Sequence, residues 1–170
     1  MEAFAQWLEA TPASVFMQQH QAWFIPAVQT LHIIGIALAA GSILLVCLRL
    51  LGRAAADQSL QQTQTRYGAW ITGALWLLLA SGGLLIVAEP VRELVTLSFW
   101  LKMALVVCLV VLVTVFGRYV RQAAAADQPV TPAMRWFAAL TLLLLVAIIV
   151  LGRLIAYDHV WGSLSPATKA

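Results

Sequence analysis

Four uninterrupted apolar stretches, at roughly 23–48, 68–88, 98–117 and 136–156, alternate with short polar segments along the chain. Each reaches the ~18–20 apolar residues that a helix needs to cross about 30 Å of hydrocarbon. The pattern predicts an all-α protein: a single transmembrane domain over 1–170, built as an antiparallel four-helix bundle. Backbone groups in lipid must be satisfied within the segment, so helices are the only reading of runs this long.

The polar segments carry the punctuation. Thr11-Pro12 reads as an N-cap followed by proline at the first helical position. Phe4, Trp7 and Leu8 ahead of it lie at helical spacing. Residues 1–21 are therefore expected to form a short interfacial N-terminal helical segment, with Trp7 and Trp23 in an aromatic belt. Pro26 falls just inside the first span and can re-aim it. The Gln-rich stretch 53–66 is expected to be helical extension plus turn. Glu89-Pro90 ends the second span, and Pro129 and Pro132 break the chain before the fourth. The start, Met1-Glu2-Ala3-Phe4, lacks a positive n-region, so the first span is expected to stay as a helix and not to act as a cleaved signal.

Composition agrees with lipid exposure. The 170 residues are 62% hydrophobic and only 10% charged, against about 25% charged in a soluble domain. The net charge of +3 is a matter of topology and gives no reason to expect nucleic acid as a partner. Arg49, Arg53 and Arg66 flank the first loop, and Arg118, Arg121 and Arg135 flank the third. The positive-inside rule places both loops in the cytoplasm, hence N-out/C-out, in a bacterial inner membrane. Cys47 and Cys108 are not spaced as a redox or metal pair and read as small packing residues. Ser42, Ser81, Thr72 and Thr141 read as ordinary helix-packing hydroxyls.

His32 is the candidate for chemistry. It lies about nine residues, or roughly 14 Å, inside its helix, where a neutral imidazole needs a partner for each nitrogen. Gln29, one turn earlier, is one candidate. The ring can hold helices together, ligate an axial position of a haem, bind another metal or a quinone, or relay protons. Gly35 and Ala39 lie on the same face and allow close approach of a backbone or a flat ligand. Gly73, Trp76, Ala80 and Gly83 form a second such face, with Trp76 a candidate pocket wall. Spans two to four hold no histidine, so a second haem ligand would have to be Met103, His159 just past the fourth span, His20 before the first, or His32 of another copy. Lys102 and Arg153, near the outer ends of two spans, either snorkel to the interface or clamp carboxylates such as haem propionates.

The stretches Thr11-Pro12-Ala13-Ser14, Trp23-Phe24-Ile25-Pro26, Leu31-His32-Ile33-Ile34-Gly35-Ile36-Ala37-Leu38, Gly41-Ser42 and Leu48-Arg49-Leu50-Leu51-Gly52 resemble an uncharacterised bacterial family of small four-span membrane proteins. Phe99-Trp100-Leu101-Lys102-Met103 resembles it too. More distantly, the Leu-His…Gly first span is similar to membrane-bound protoporphyrinogen oxidases of the HemJ type and to copper-resistance membrane proteins of the CopD type. That resemblance implies a haem or copper role for His32.

These readings converge on an expectation: a membrane protein that binds haem b and serves electron transfer. His32 would be the axial ligand, Met103 or His159 the second, and Lys102 and Arg153 the propionate partners. Gly35 and Trp76 would line the site. Quinone or a periplasmic redox protein would exchange electrons, and a homo-oligomer would be compatible. The alternative is a non-catalytic membrane subunit or a copper- or other metal-handling protein.

Overall fold

The computed structural model describes residues 2–54, 57–95, 97–126 and 128–156, without the side chains of 92, 97, 98 and 153–156. Helices account for nearly all of them: α1 (Glu2–Glu9), α2 (Pro12–Gln19), α3 (Gln21–Leu50), α4 (Leu60–Ala88), α5 (Pro90–Leu94), α6 (Leu97–Ala125) and α7 (Pro132–Ala156). Four of these, α3, α4, α6 and α7, are long and apolar enough to cross a membrane, which marks a multi-pass membrane protein.

The helix boundaries follow from local chemistry. The Thr11 hydroxyl accepts from the Ser14 amide, with Pro12 at the first helical position of α2. α3 stops where Gly52 takes a positive φ of 70°; the Gly52 and Arg53 amides then donate back to the Arg49 and Leu48 carbonyls. α4 begins with a capping box: Ser59 Oγ accepts from the Gln62 amide at 3.1 Å and the Ser59 amide donates to Gln62 Oε1 at 3.0 Å. That cap extends α4 two turns ahead of the apolar run, to Leu60. α6 likewise continues past its apolar run through Ala125, because alanine has the highest helix propensity. The Thr131 hydroxyl accepts from the Met134 amide at 3.3 Å as α7 begins at Pro132.

The spans form a closed ring. α3 packs on α4, α4 on α6, α6 on α7 and α7 back on α3. The first and last spans are thus neighbours. Among the described residues the diagonal pairs, α3 with α6 and α4 with α7, bring no Cα atoms within 8 Å of each other. Two apolar clusters mark the ends. At the basic end Ile43, Cys47 and Leu50 of α3 meet Leu60 of α4, Val120 and Ala123 of α6, and Met134 and Ala138 of α7. At the opposite end Ala5 of α1 packs with Leu94 and Phe99, so that α1 lies against α5 and α2 against α4. The interfacial segment is therefore two short helices closing that end of the bundle. Trp7 and Trp23 stay exposed there, as an aromatic belt requires. Outward-facing Ile33, Leu79, Val107 and Leu143 give each span an apolar outer surface, suited to contact with lipid.

Candidate functional site

α3 turns Val28, Gly35, Ala39, Ser42 and Val46 inward, the face expected from a 100° step, and His32 lies on its edge, half-buried. Opposite, α4 buries Ala74, Ser81 and Ala88, one residue every seven. The two faces meet at His32 Nδ1 and Ser81 Oγ, 2.8 Å apart. The Ser81 hydroxyl is also 2.6 Å from the Leu77 carbonyl. That carbonyl can only accept, so the single hydroxyl proton goes to it. Ser81 Oγ then accepts from His32, and in the neutral ring the proton sits on Nδ1. Nε2 is left with its lone pair, the form in which imidazole ligates a metal.

Gly82 supports this arrangement. A methyl group on it would lie 3.4 Å from His32 Cε1 and 3.9 Å from Nδ1, so the ring packs close to the α4 backbone. The third and fourth spans contribute through Lys102. Its charge lies within electrostatic reach of His32, and its Cε and Nζ lie 3.9 and 4.0 Å from where a Gly152 Cβ would stand. The polar node in the half of the bundle nearer α1 thus consists of two pairings: His32 on α3 with Ser81 and Gly82 on α4, and Lys102 on α6 with Gly152 on α7.

Several expected members stand elsewhere. Gly35 offers no free slot, because Leu78 fills it: a Cβ at Gly35 would come within 3.0 Å of Leu78 Cδ2 and 3.5 Å of Leu77 Cδ2. The face of Gly73, Trp76, Ala80 and Gly83 points outward. Trp76 is 66% exposed and walls no internal pocket; the small residues that α4 turns inward are Ala74, Ser81 and Ala88. Met103 packs on the Ala5–Leu94–Phe99 cluster, at the end of α6 that meets α5. Gln29 is exposed, so Ser81 and not Gln29 is the partner of His32. His20 Nδ1 bonds the Phe16 carbonyl at 2.9 Å at the α2–α3 junction. Arg153 lies in α7 with its side chain outside the description, and His159 lies outside the described residues. No group of three His, Cys, Asp or Glu side chains comes together among the described residues.

A single family's pattern spans almost the whole chain, the four long helices included. The chain belongs to DUF6644, a family of unknown function. The match covers residues 4–158, from α1 to just past α7, and so includes the whole polar node. No curated protein and no solved structure matches the chain.

Proposed function

We propose that the protein holds a haem b through His32 and works in electron transfer within the membrane. One observation carries this reading: Ser81 occupies Nδ1 of His32, which fixes the ring and leaves Nε2 unprotonated. A hydrogen bond on the far nitrogen is the usual support of an imidazole ligand. The Lys102 ammonium nearby suits a propionate carboxylate. An imidazole and an ammonium are the groups that haem iron and its carboxylates would take, whereas Gly35 supplies none of the room, because Leu78 fills its notch. Bound haem would supply one-electron chemistry; the chain's own part is to orient the ring through Ser81 and to supply the Lys102 charge in the same half of the bundle. Quinone or a periplasmic redox protein is the proposed exchange partner, and the basic end faces the cytoplasm of a bacterial inner membrane. With Met103 on the Ala5–Leu94–Phe99 cluster, His32 is the ligand proposed from the described residues, and His159 or His32 of a second copy remains the candidate for another.

The experiment is purification from cells supplied with a haem precursor, followed by haem-to-protein stoichiometry and a reduced-minus-oxidised spectrum. Wild-type protein and Met103→Leu should carry haem, and His32→Ala should not. A colourless wild-type protein under those conditions refutes the proposal.

The same hydrogen bond favours a second reading, a non-catalytic membrane subunit in which His32 and Ser81 simply clamp α3 to α4. Interhelical polar bonds serve this purpose in membranes. In that case His32→Gln, which can still bond Ser81, retains the protein's thermal stability and no preparation is coloured.

A further inference from the structure

At the basic end, remote from His32, a cavity of about 240 Å³ opens among the four spans. Its walls are apolar, with Ile43, Ile71, Val113 and Phe116 among them, and its polar lining joins Gln64, Arg118 and Arg121 to three threonines. Gln64 is 94% buried by its 6% exposure, and among the described residues its side-chain amide has no hydrogen-bond partner. The threonines of the lining behave differently. Thr72, Thr114 and Thr141 each return their hydroxyl to a carbonyl one turn back. Gln64 thus brings an unused amide to the cavity.

The arginines are placed as deliberately. A Cβ on Gly68 or on Gly117 would lie 3.9 or 3.7 Å from Arg121 Nη1. The guanidinium therefore crosses the seam between α4 and α6 where both helices present only backbone. Arg118 stands one turn earlier on α6. Among the described residues neither guanidinium meets a carboxylate. Two cations at the rim, an amide donor inside and apolar walls below are the elements of a receptor for an anionic amphiphile.

We infer that this cavity binds an anionic phospholipid: Arg118 and Arg121 take the headgroup phosphate, the Gln64 amide donates to one of its oxygens, and the upper part of an acyl chain follows the apolar walls. The site stands on its own residues and is independent of haem binding at His32. Basic pockets between spans suit anionic lipid headgroups because the phosphate stays at the interface while the chain remains in hydrocarbon. Phosphate chemistry alone would also admit a soluble phosphate; the apolar walls point to the lipid.

The test uses the full-length protein in phosphatidylcholine nanodiscs, titrated with phosphatidylglycerol, with bound lipid counted by native mass spectrometry. Wild-type protein should retain phosphatidylglycerol selectively. Arg118→Gln with Arg121→Gln should weaken that retention about 30-fold, from the loss of two cations near the surface. Arg135→Gln, an exposed arginine at the same end that does not line the cavity, should leave it unchanged. Gln64→Glu keeps the side-chain volume and sets a carboxylate against the phosphate; it should abolish selectivity and keeps the proposal testable if the double variant fails to fold. Equal retention in the double variant and Gln64→Glu overturns the proposal. So does equal loss in Arg135→Gln, which would mark general charge attraction. Full displacement of lipid by inorganic phosphate at the same concentration would assign the site to a soluble anion instead and also overturn it.

Discussion

His32 Nδ1 and Ser81 Oγ stand 2.8 Å apart across the α3–α4 interface, and the second bond of Ser81, to the Leu77 carbonyl, decides which atom holds the proton. Ser81→Ala removes both functions while leaving Gly82 against the ring. Interhelical polar bonds in membranes are worth about 0.6 kcal/mol on average and up to ~1.7. A double-mutant cycle of Ser81→Ala with His32→Ala, read by unfolding in detergent, should give a coupling within that range. Zero coupling would mean that the two side chains do not hold one another.

Leu78 seated in the notch of Gly35 makes a second prediction. A Cβ at Gly35 would press on Leu78 Cγ and Cδ2 at 3.1 and 3.0 Å, and a leucine tip can yield a few tenths of an ångström. Gly35→Ala should therefore be mild, whereas Gly35→Val should cost about 1–3 kcal/mol by overpacking. Leu78→Ala should recover part of that loss in the Gly35→Val background, because the two changes share one space. Unfolding of the four proteins in the same detergent checks it; additive effects would contradict the packing.

Met134 is fully buried while Trp136, two residues on, is 78% exposed. In lipid the outward face gains nothing from leaving water, so exposure of an apolar side chain there carries no cost. Met134→Ala loses dispersion contacts and opens a cavity at the basic end; it should destabilise by about 2 kcal/mol, the low end of the range for soluble cores. Trp136→Ala should shift the unfolding midpoint little. The reverse order would mean that α7 is rotated from the position described.

Much of this architecture was legible in the chain because the relevant physics is local. The apolar runs located all four spans, and the Thr11-Pro12 and Glu89-Pro90 punctuation located their neighbours. The inward face of α3 followed from a 100° step because Gly35 and Ala39 coincide on it; Ser42 joins them in the structure. The same reasoning failed on α4. That span is apolar or small all round, so Gly73/Ala80/Gly83 and Ala74/Ser81/Ala88 are equally plausible seams, and only the approach of α3 selects the second. Ser81 was therefore legible as a packing hydroxyl but not as the partner of His32. A spacing of seven with Ala74 and Ala88 was the signal available for it. Lys102 and Gly152 come together because α6 neighbours α7, and such pairing is a property of the ring and not of any one span.

Lys102 offers a prediction specific to the node. Lys102→Met keeps the stem against Gly152 and removes the charge within electrostatic reach of His32. If the ammonium serves a propionate, the variant should keep the bundle intact yet lose haem about 10- to 150-fold faster to a competing apo-globin, as a charge-assisted hydrogen bond worth about 1.5–3 kcal/mol implies. Haem transfer followed by the Soret band checks it. Unchanged transfer would return Lys102 to the interface as a snorkelling side chain.

The central claim is that His32 ligates through Nε2, and chemical rescue tests it most directly. His32→Gly removes the ring and leaves space beside Gly82 and Ser81. The purified variant should lack a Soret band and regain it on addition of imidazole, whereas Met103→Gly should retain colour without rescue. A His32→Gly protein that holds haem without imidazole, or a wild-type protein that holds none, would contradict the account.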